Sequence, residues 1–95
     1  MKIKELRSGM SNVWVEGEVV DKSEKREVMT KYGVREVARV LLEDDSGRIN
    51  LTLWGKNIDQ VSVGDRVRLE GAFVTEFRNE LQLNVPRSGK IEVIK

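Results

Sequence analysis

A tryptophan closes the run Arg48 to Trp54, R-I-N-L-T-L-W, on the side of the chain where it would not be expected. Successive side chains of a strand point to opposite faces. Ile49, Leu51 and Leu53 therefore share one face, and Arg48, Asn50, Thr52 and Trp54 share the other. Hiding a large apolar ring is worth on the order of a few kcal/mol, so an indole set among Asn, Thr and Arg points to a flat surface kept available for something that stacks. Nucleobases fit that chemistry, because every base has a π-face.

Cationic and hydrogen-bonding residues fall where they would serve such a surface. Arg35 and Arg39 share the outward face of the preceding strand, within reach of Trp54, and guanidinium groups there can meet phosphates or stack on bases. Lys56 follows Trp54 by two residues, Arg78 sits in a later hairpin loop, and Lys25, Arg26 and Lys31 occupy the first loop. Each alone is an ordinary solvated charge; focused on one face they form an electrostatic patch. Asn50, Thr52, Gln82 and Asn84 also point outward and supply hydrogen bonds without commitment to one base.

Catalytic chemistry is poorly supplied. The chain has no His and no Cys, which removes the commonest general base, zinc ligand and thiolate nucleophile. Its eight glycines never fall at dinucleotide-binding or P-loop spacing. Glu43, Asp44 and Asp45 cluster, but three adjacent acids rarely converge on one ion without further ligands, and a polar D-D-S-G hairpin turn accounts for them. No enzymatic activity, metal or cofactor is expected. Seventeen Lys and Arg against sixteen Asp and Glu leave a net charge of +1, so any case for a polyanionic partner rests on how the charges are distributed. No apolar run is long enough to span a bilayer and no signal peptide is evident at the start, so a cytoplasmic protein with no membrane association is expected.

The elements that must position these residues read as strands. Ninety-five residues make one domain, 1–95, without repeats or linkers. Ile3, Leu6 and Met10 look like an irregular lead-in that plugs one end of a core. Val13, Val15 and Val19 alternate with polar neighbours, and Gly17 in their register suggests a bend or bulge. Lys31-Tyr32-Gly33 is a plausible hairpin tip. A second strand then runs from about Val34 to Glu43, with Ala38, Val40 and Leu42 inward and Arg35, Val37, Arg39 and Leu41 outward. After the Trp54 strand, Asn57 to Ser62 holds a helical turn or two. Val67 and Leu69 face inward on a fourth strand, and a hairpin near Arg78-Asn79 leads to Leu81, Leu83 and Val85, with an apolar end at Ile91 to Ile94.

Five strands with a short helix between the third and fourth is the recipe of an all-β, five-stranded OB-fold barrel. The lead-in L-R-S-G-M, the turn and strand D-D-S-G-R-I-N-L-T-L-W-G, the segment V-G-D-R-V-R-L-E-G-A-F-V and the hairpin F-R-N-E-L-Q-L-N, in this order, resemble the archaeal single-stranded DNA-binding proteins and the OB domains of replication protein A over nearly the whole chain. The resemblance implies a platform of Trp54, Phe73 and Phe77 on which bases of single-stranded DNA, or of single-stranded RNA, are stacked. It also implies partners among replication or repair proteins. The sequence departs from the family in two ways: some relatives carry a second Trp at the position of Phe73, and the Gly-rich, charged tail of many relatives is missing after Lys95.

Parity leaves Phe73 and Phe77 open. A strict period of two from Val67 and Leu69 sends Gly71 and Phe73 inward; a register shift at Gly71-Ala72 turns Ala72 and Val74 to the core and Phe73, Thr75 and Phe77 outward. The resemblance favours the second arrangement. It places no binding aromatic at Trp14, which is expected to cover the outer barrel or pack against the lead-in, and Tyr32 reads as an exposed loop residue. The alternative function is a structural or protein-binding OB module, for which the outward Val37 and Leu41 would supply an apolar contact.

Overall fold

Alternating apolar residues close a barrel here, and the chain's glycines decide where its strands bend. The computed structural model describes residues 1–86 and 88–94. A 3-10 turn, Ile3–Glu5, precedes β1 (Val13–Lys22), β2 (Arg26–Thr30), β3 (Gly33–Asp44), β4 (Gly47–Trp54), α1 (Asn57–Gln60), β5 (Arg66–Phe77), β6 (Glu80–Asn84) and β7 (Lys90–Ile94). β1 pairs with β3, β3 with β4, β4 with β6 in parallel, β6 with β5, and β5 returns to β1. That ring is the five-stranded OB barrel expected, with α1 between its third and fourth strands, β4 and β5.

The ring closes because β1 serves two neighbours. Residues Val13 to Glu18 pair with β5, and Glu18 to Lys22 pair with β3. Gly17 lies where the two sheets fold together: a Cβ there would stand 2.7 Å from the Glu43 carbonyl oxygen and 3.1 Å from Leu42 Cγ. The expected bend is at Gly17, and the register shifts flank it: at Val13 to Val15 the extra residue lies on β5, between Leu69 and Ala72, and at Val19 to Asp21 it lies on β1.

Ala38, Val40 and Leu42 of β3 face Leu51 and Leu53 of β4, Val67 and Leu69 of β5, and Leu83 of β6 in one core. Each fully buried aliphatic side chain contributes about 1.5–3 kcal/mol. Ile3 and Leu6 of the lead-in join this core beside the turn that begins β4, and Ile58 and Val61 join it after β4 ends. The lead-in is fastened by Gly9 N–H donating to Val74 O at 3.0 Å and Val74 N–H donating to Met10 O at 2.8 Å.

Two strands go beyond the five expected. β2 folds back on β3 from Arg26↔Val37 to Thr30↔Gly33, and Ile91 to Ile94 belongs to a separate edge strand, β7, beside β5. β2 and the first half of β3 form an arm projecting from the barrel, exposed at Met29, Tyr32 and Val34. The helix, Asn57–Gln60, is a single turn within the segment Asn57 to Ser62 where a turn or two was expected. No helix among the described residues is long and apolar enough to cross a membrane.

Candidate nucleic-acid interface

The register of four strands arranges the outward side chains in rows. Across β3, β4, β6 and β5 one row runs Arg39, Thr52, Asn84, Phe73, and the adjacent row runs Leu41, Asn50, Gln82, Thr75. On the other side of the first row, across β2, β3 and β4, stand Arg26, Val37 and Trp54. Neighbouring strands lie about 4.8 Å apart, so these rows build one continuous surface. Asn84 Nδ2 donates to Thr75 Oγ1 at 3.1 Å, which ties the β6 and β5 ends of adjacent rows together.

Gly71 decides which face of β5 joins this surface. Its φ of +72° belongs to the left-handed region that suits glycine, and it breaks the period between Leu69 and Ala72, both buried. From there Ala72 and Val74 face the core while Phe73, Thr75 and Phe77 face out. Phe73 is half-buried and Phe77 is 61% exposed. The outward arrangement, one of the two that parity left open, is the one adopted.

Trp54 ends β4 with 39% of its surface exposed and forms one wall of a groove of about 410 Å³. Ser23, Glu24, Arg26, Val28, Val37, Ala38, Arg39 and Thr52 supply the rest of the lining. The groove exists because the β2–β3 arm stands beside the end of β4. Val37 is outward by parity yet only 9% exposed, and it stands apart from the barrel core, covered by the arm and by Trp54. Leu41 is half-buried. The apolar contact that would have favoured a protein-binding role is therefore largely used within the chain.

The basic residues divide into engaged and free. Lys25 is tied to Asp59 at 3.2 Å and Glu36 at 3.8 Å, and the hydrogen bond it donates to Asp59 raises its pKa. Lys22 Nζ donates to the carbonyls of Ile58 and Val61, each at 2.6 Å, so it anchors α1. Arg26 and Arg39 line the groove, and Arg35 stands farther out on the arm, opposite Val28. Lys56 is exposed before α1, and Arg78 is exposed in the β5–β6 turn with its guanidinium 5.1 Å from the Phe77 ring centroid. Arg78 and Asn79 both have positive φ, 53° and 67°, the backbone of a two-residue hairpin turn matched to strand twist.

The site residues expected from sequence thus occupy one outer surface in two groups. Trp54, Thr52, Arg39 and, more distantly, Arg35 gather around the groove, while Phe73, Phe77 and Arg78 lie along β5 and its turn. Asn50 and Gln82 are paired between the groups, and Lys56 stands beyond the end of β4. Ser23, Glu24 and Val28 of the groove lining were not anticipated. Counting back from the hairpin tip at Lys31 to Gly33 would have found Val28, since strand pairing continues two residues at a time from that turn.

The acidic turn is structural. Asp44 Oδ1 accepts from Ser46 N–H at 2.7 Å, Ser46 Oγ at 2.6 Å and Gly47 N–H at 3.1 Å, and Oδ2 accepts from Ile3 N–H at 2.8 Å. Partial burial opposes its ionisation, but these hydrogen bonds outweigh it and hold the carboxyl below its ordinary value. Asp45 pairs with Lys2 and Glu43 with Arg48. Among the described residues no group of acids could hold a metal ion. Trp14, 52% exposed, shares a trough with Lys2 and Glu5 of the lead-in and with Glu16, Glu18, Glu43, Asp44, Asp45 and Arg66, and the lead-in does not cover it.

Comparison with known proteins agrees with this architecture. The OB domain of a Thermoplasma acidophilum protein is 30% identical, with a TM-score of 0.86 over 99% of this chain and 85% of that one. The second OB-fold domain of replication protein A from Methanococcus maripaludis is also 30% identical, with a TM-score of 0.83 over 100% of this chain and 94% of that one. A curated relative, the single-stranded DNA binding protein Ssb of Saccharolobus solfataricus, is 38% identical over 90 residues, which are 95% of this chain and 61% of the relative. The chain therefore spans about three-fifths of that relative's length. A family model described as an OB-fold nucleic acid binding domain matches residues 13–94. The chain belongs to the family of OB-fold nucleic acid binding domains.

Proposed function

We propose that this domain binds single-stranded DNA without chemistry, stacking bases on Trp54, Phe73 and Phe77 while Arg26, Arg35, Arg39, Lys56 and Arg78 meet phosphates. The observation that carries the proposal is the row geometry: three aromatic rings with exposed surface share one outer face with Asn50, Thr52, Gln82 and Asn84, in a barrel whose core is otherwise closed. The name of the Saccharolobus relative supports the choice of ligand.

Each stacked base contributes about 1–3 kcal/mol, so three platforms supply a gross ~3–9 kcal/mol before the strand's ordering is subtracted. With the phosphate contacts added to stacking, an affinity near micromolar, about −8 kcal/mol, is expected. Every base presents a π-face, so preference across a mixed strand is small. Duplex DNA binds poorly because its bases already stack on one another.

An amide and indole chemical-shift titration with matched DNA and RNA oligomers tests the proposal and ranks the two ligands. The expected result is shifts centred on the Trp54 indole and on the backbone of Thr52, Phe73 and Phe77. Shifts confined to the Trp14 side, or none at low salt, would refute it.

A further inference from the structure

We infer that Glu24 makes the Trp54 end of the groove selective for bases that carry an exocyclic amine, so that cytosine is held there in preference to thymine. The inference deepens the proposed single-strand binding and rests on it. Glu24 lines the groove together with Trp54, Arg26, Arg39 and Thr52. Its place is fixed by the residue before it: Ser23 N–H donates to Arg39 O at 2.8 Å, and Arg39 N–H donates to Ser23 Oγ at 2.8 Å. Arg39 is in turn paired with Thr52 on β4, two residues before Trp54. The loop that carries Glu24 is thus pinned to the strand beside the tryptophan.

The carboxylate has no ion pair among the described residues. The cation next to it in the chain, Lys25, is taken by Glu36 and Asp59. A free carboxylate in a groove for a polyanion repels each phosphate that passes, unless the ligand brings a donor to it. An ionised carboxylate only accepts hydrogen bonds, and along a DNA strand the donors are on the bases. Cytosine offers its N4 amine, the group Glu and Asp accept from in direct readout, and adenine its N6 amine. Thymine presents the O4 carbonyl where cytosine has its amine, so its edge sets oxygen against oxygen. A base lying flat on Trp54 exposes this edge to the groove wall. Splayed bases of a single strand are read in this way on their Watson–Crick edges. Selectivity at one stacking step of three is compatible with slight preference over a mixed sequence.

Fluorescence anisotropy with equal-length homopolymers at neutral pH tests the inference, using dC, dT and a dC strand methylated twice on N4. The intact protein is expected to bind dC about three- to tenfold more tightly than dT, and the methylated strand is expected to fall to the dT level. Glu24→Ala, an exposed loop substitution, should bring dC and dT within about twofold, with dT affinity unchanged or improved. Equal binding of dC and dT by the intact protein, or a preference that survives either Glu24→Ala or methylation, would overturn the inference and leave single-strand binding standing. Failure of the intact protein to bind any of the three strands would overturn the underlying reading, and this inference with it.

Discussion

Replacing Trp54 by Ala removes the widest platform of the proposed interface while leaving the barrel intact. Trp54 is outside the core cluster and its indole is 39% exposed, so its main neighbour is Val37 across the strand pair. Loss of that contact costs about 1 kcal/mol of stability, the usual size for a point substitution. Loss of a stacked base costs about 1–3 kcal/mol of binding, roughly a 5- to 150-fold weaker Kd. The chain's two tryptophans separate the effects, since Trp14 lies in the acidic trough and serves as an internal control. Titrating short oligo-dT should quench emission of the intact protein and of Trp14→Phe, whereas Trp54→Ala should keep the Trp14 emission and lose the quench. Trp14→Phe should also leave affinity within about twofold. Binding by Trp54→Ala within twofold of the intact protein, or a quench that follows Trp14 instead, would refute the reasoning.

Further perturbations test the scaffold and its electrostatics. Gly17→Ala places a Cβ 2.7 Å from the Glu43 carbonyl oxygen, an overpacking expected to cost about 1–3 kcal/mol in denaturant unfolding. Gly71→Ala forces a φ of +72° on an L side chain, which costs about 1–2 kcal/mol and should shift the amide resonances of Phe73 and Phe77. Because the folded Asp44 carboxyl titrates below the ordinary value of about 4, its contribution to stability is complete above that value and disappears as pH falls through the folded pKa. Asp44→Asn should therefore lower stability at neutral pH and flatten the acid limb of a pH–stability profile. If roughly three to five phosphates are neutralised, log affinity for a single strand should fall with log salt at a slope of about −2 to −3.5, and Arg39→Ala should make that slope shallower by about 0.7.

What the sequence made legible followed strict period. β4 alternates without exception, so Trp54 and its polar companions were placed by parity alone. β5 does not, and its outward aromatics depended on a single backbone dihedral at Gly71 that spacing cannot reveal. β2 was hidden for a different reason: Arg26, Glu27 and Met29 are exposed, so the strand lacks the apolar alternation that marks a half-buried face. The fate of Val37 depended on β2. Its parity was readable, but the arm that covers it was not. Lys25 reads as a free cation in the first loop, whereas its partner Asp59 stands 34 residues later, brought near only by closure of the barrel.

The sorting of charge on this nearly neutral chain has a consequence for the approach to a ligand. Arg26 and Arg39 flank the Trp54 groove with one acid, Glu24, while six carboxylates gather with only Lys2 and Arg66 in the trough around Trp14. A net charge of +1 therefore conceals an uneven distribution of charge. In the field of a polyanion such a particle experiences torque before it experiences much pull. It arrives already turned, with its anionic flank directed to bulk water, and that flank also discourages a second strand from wrapping the far side of the barrel.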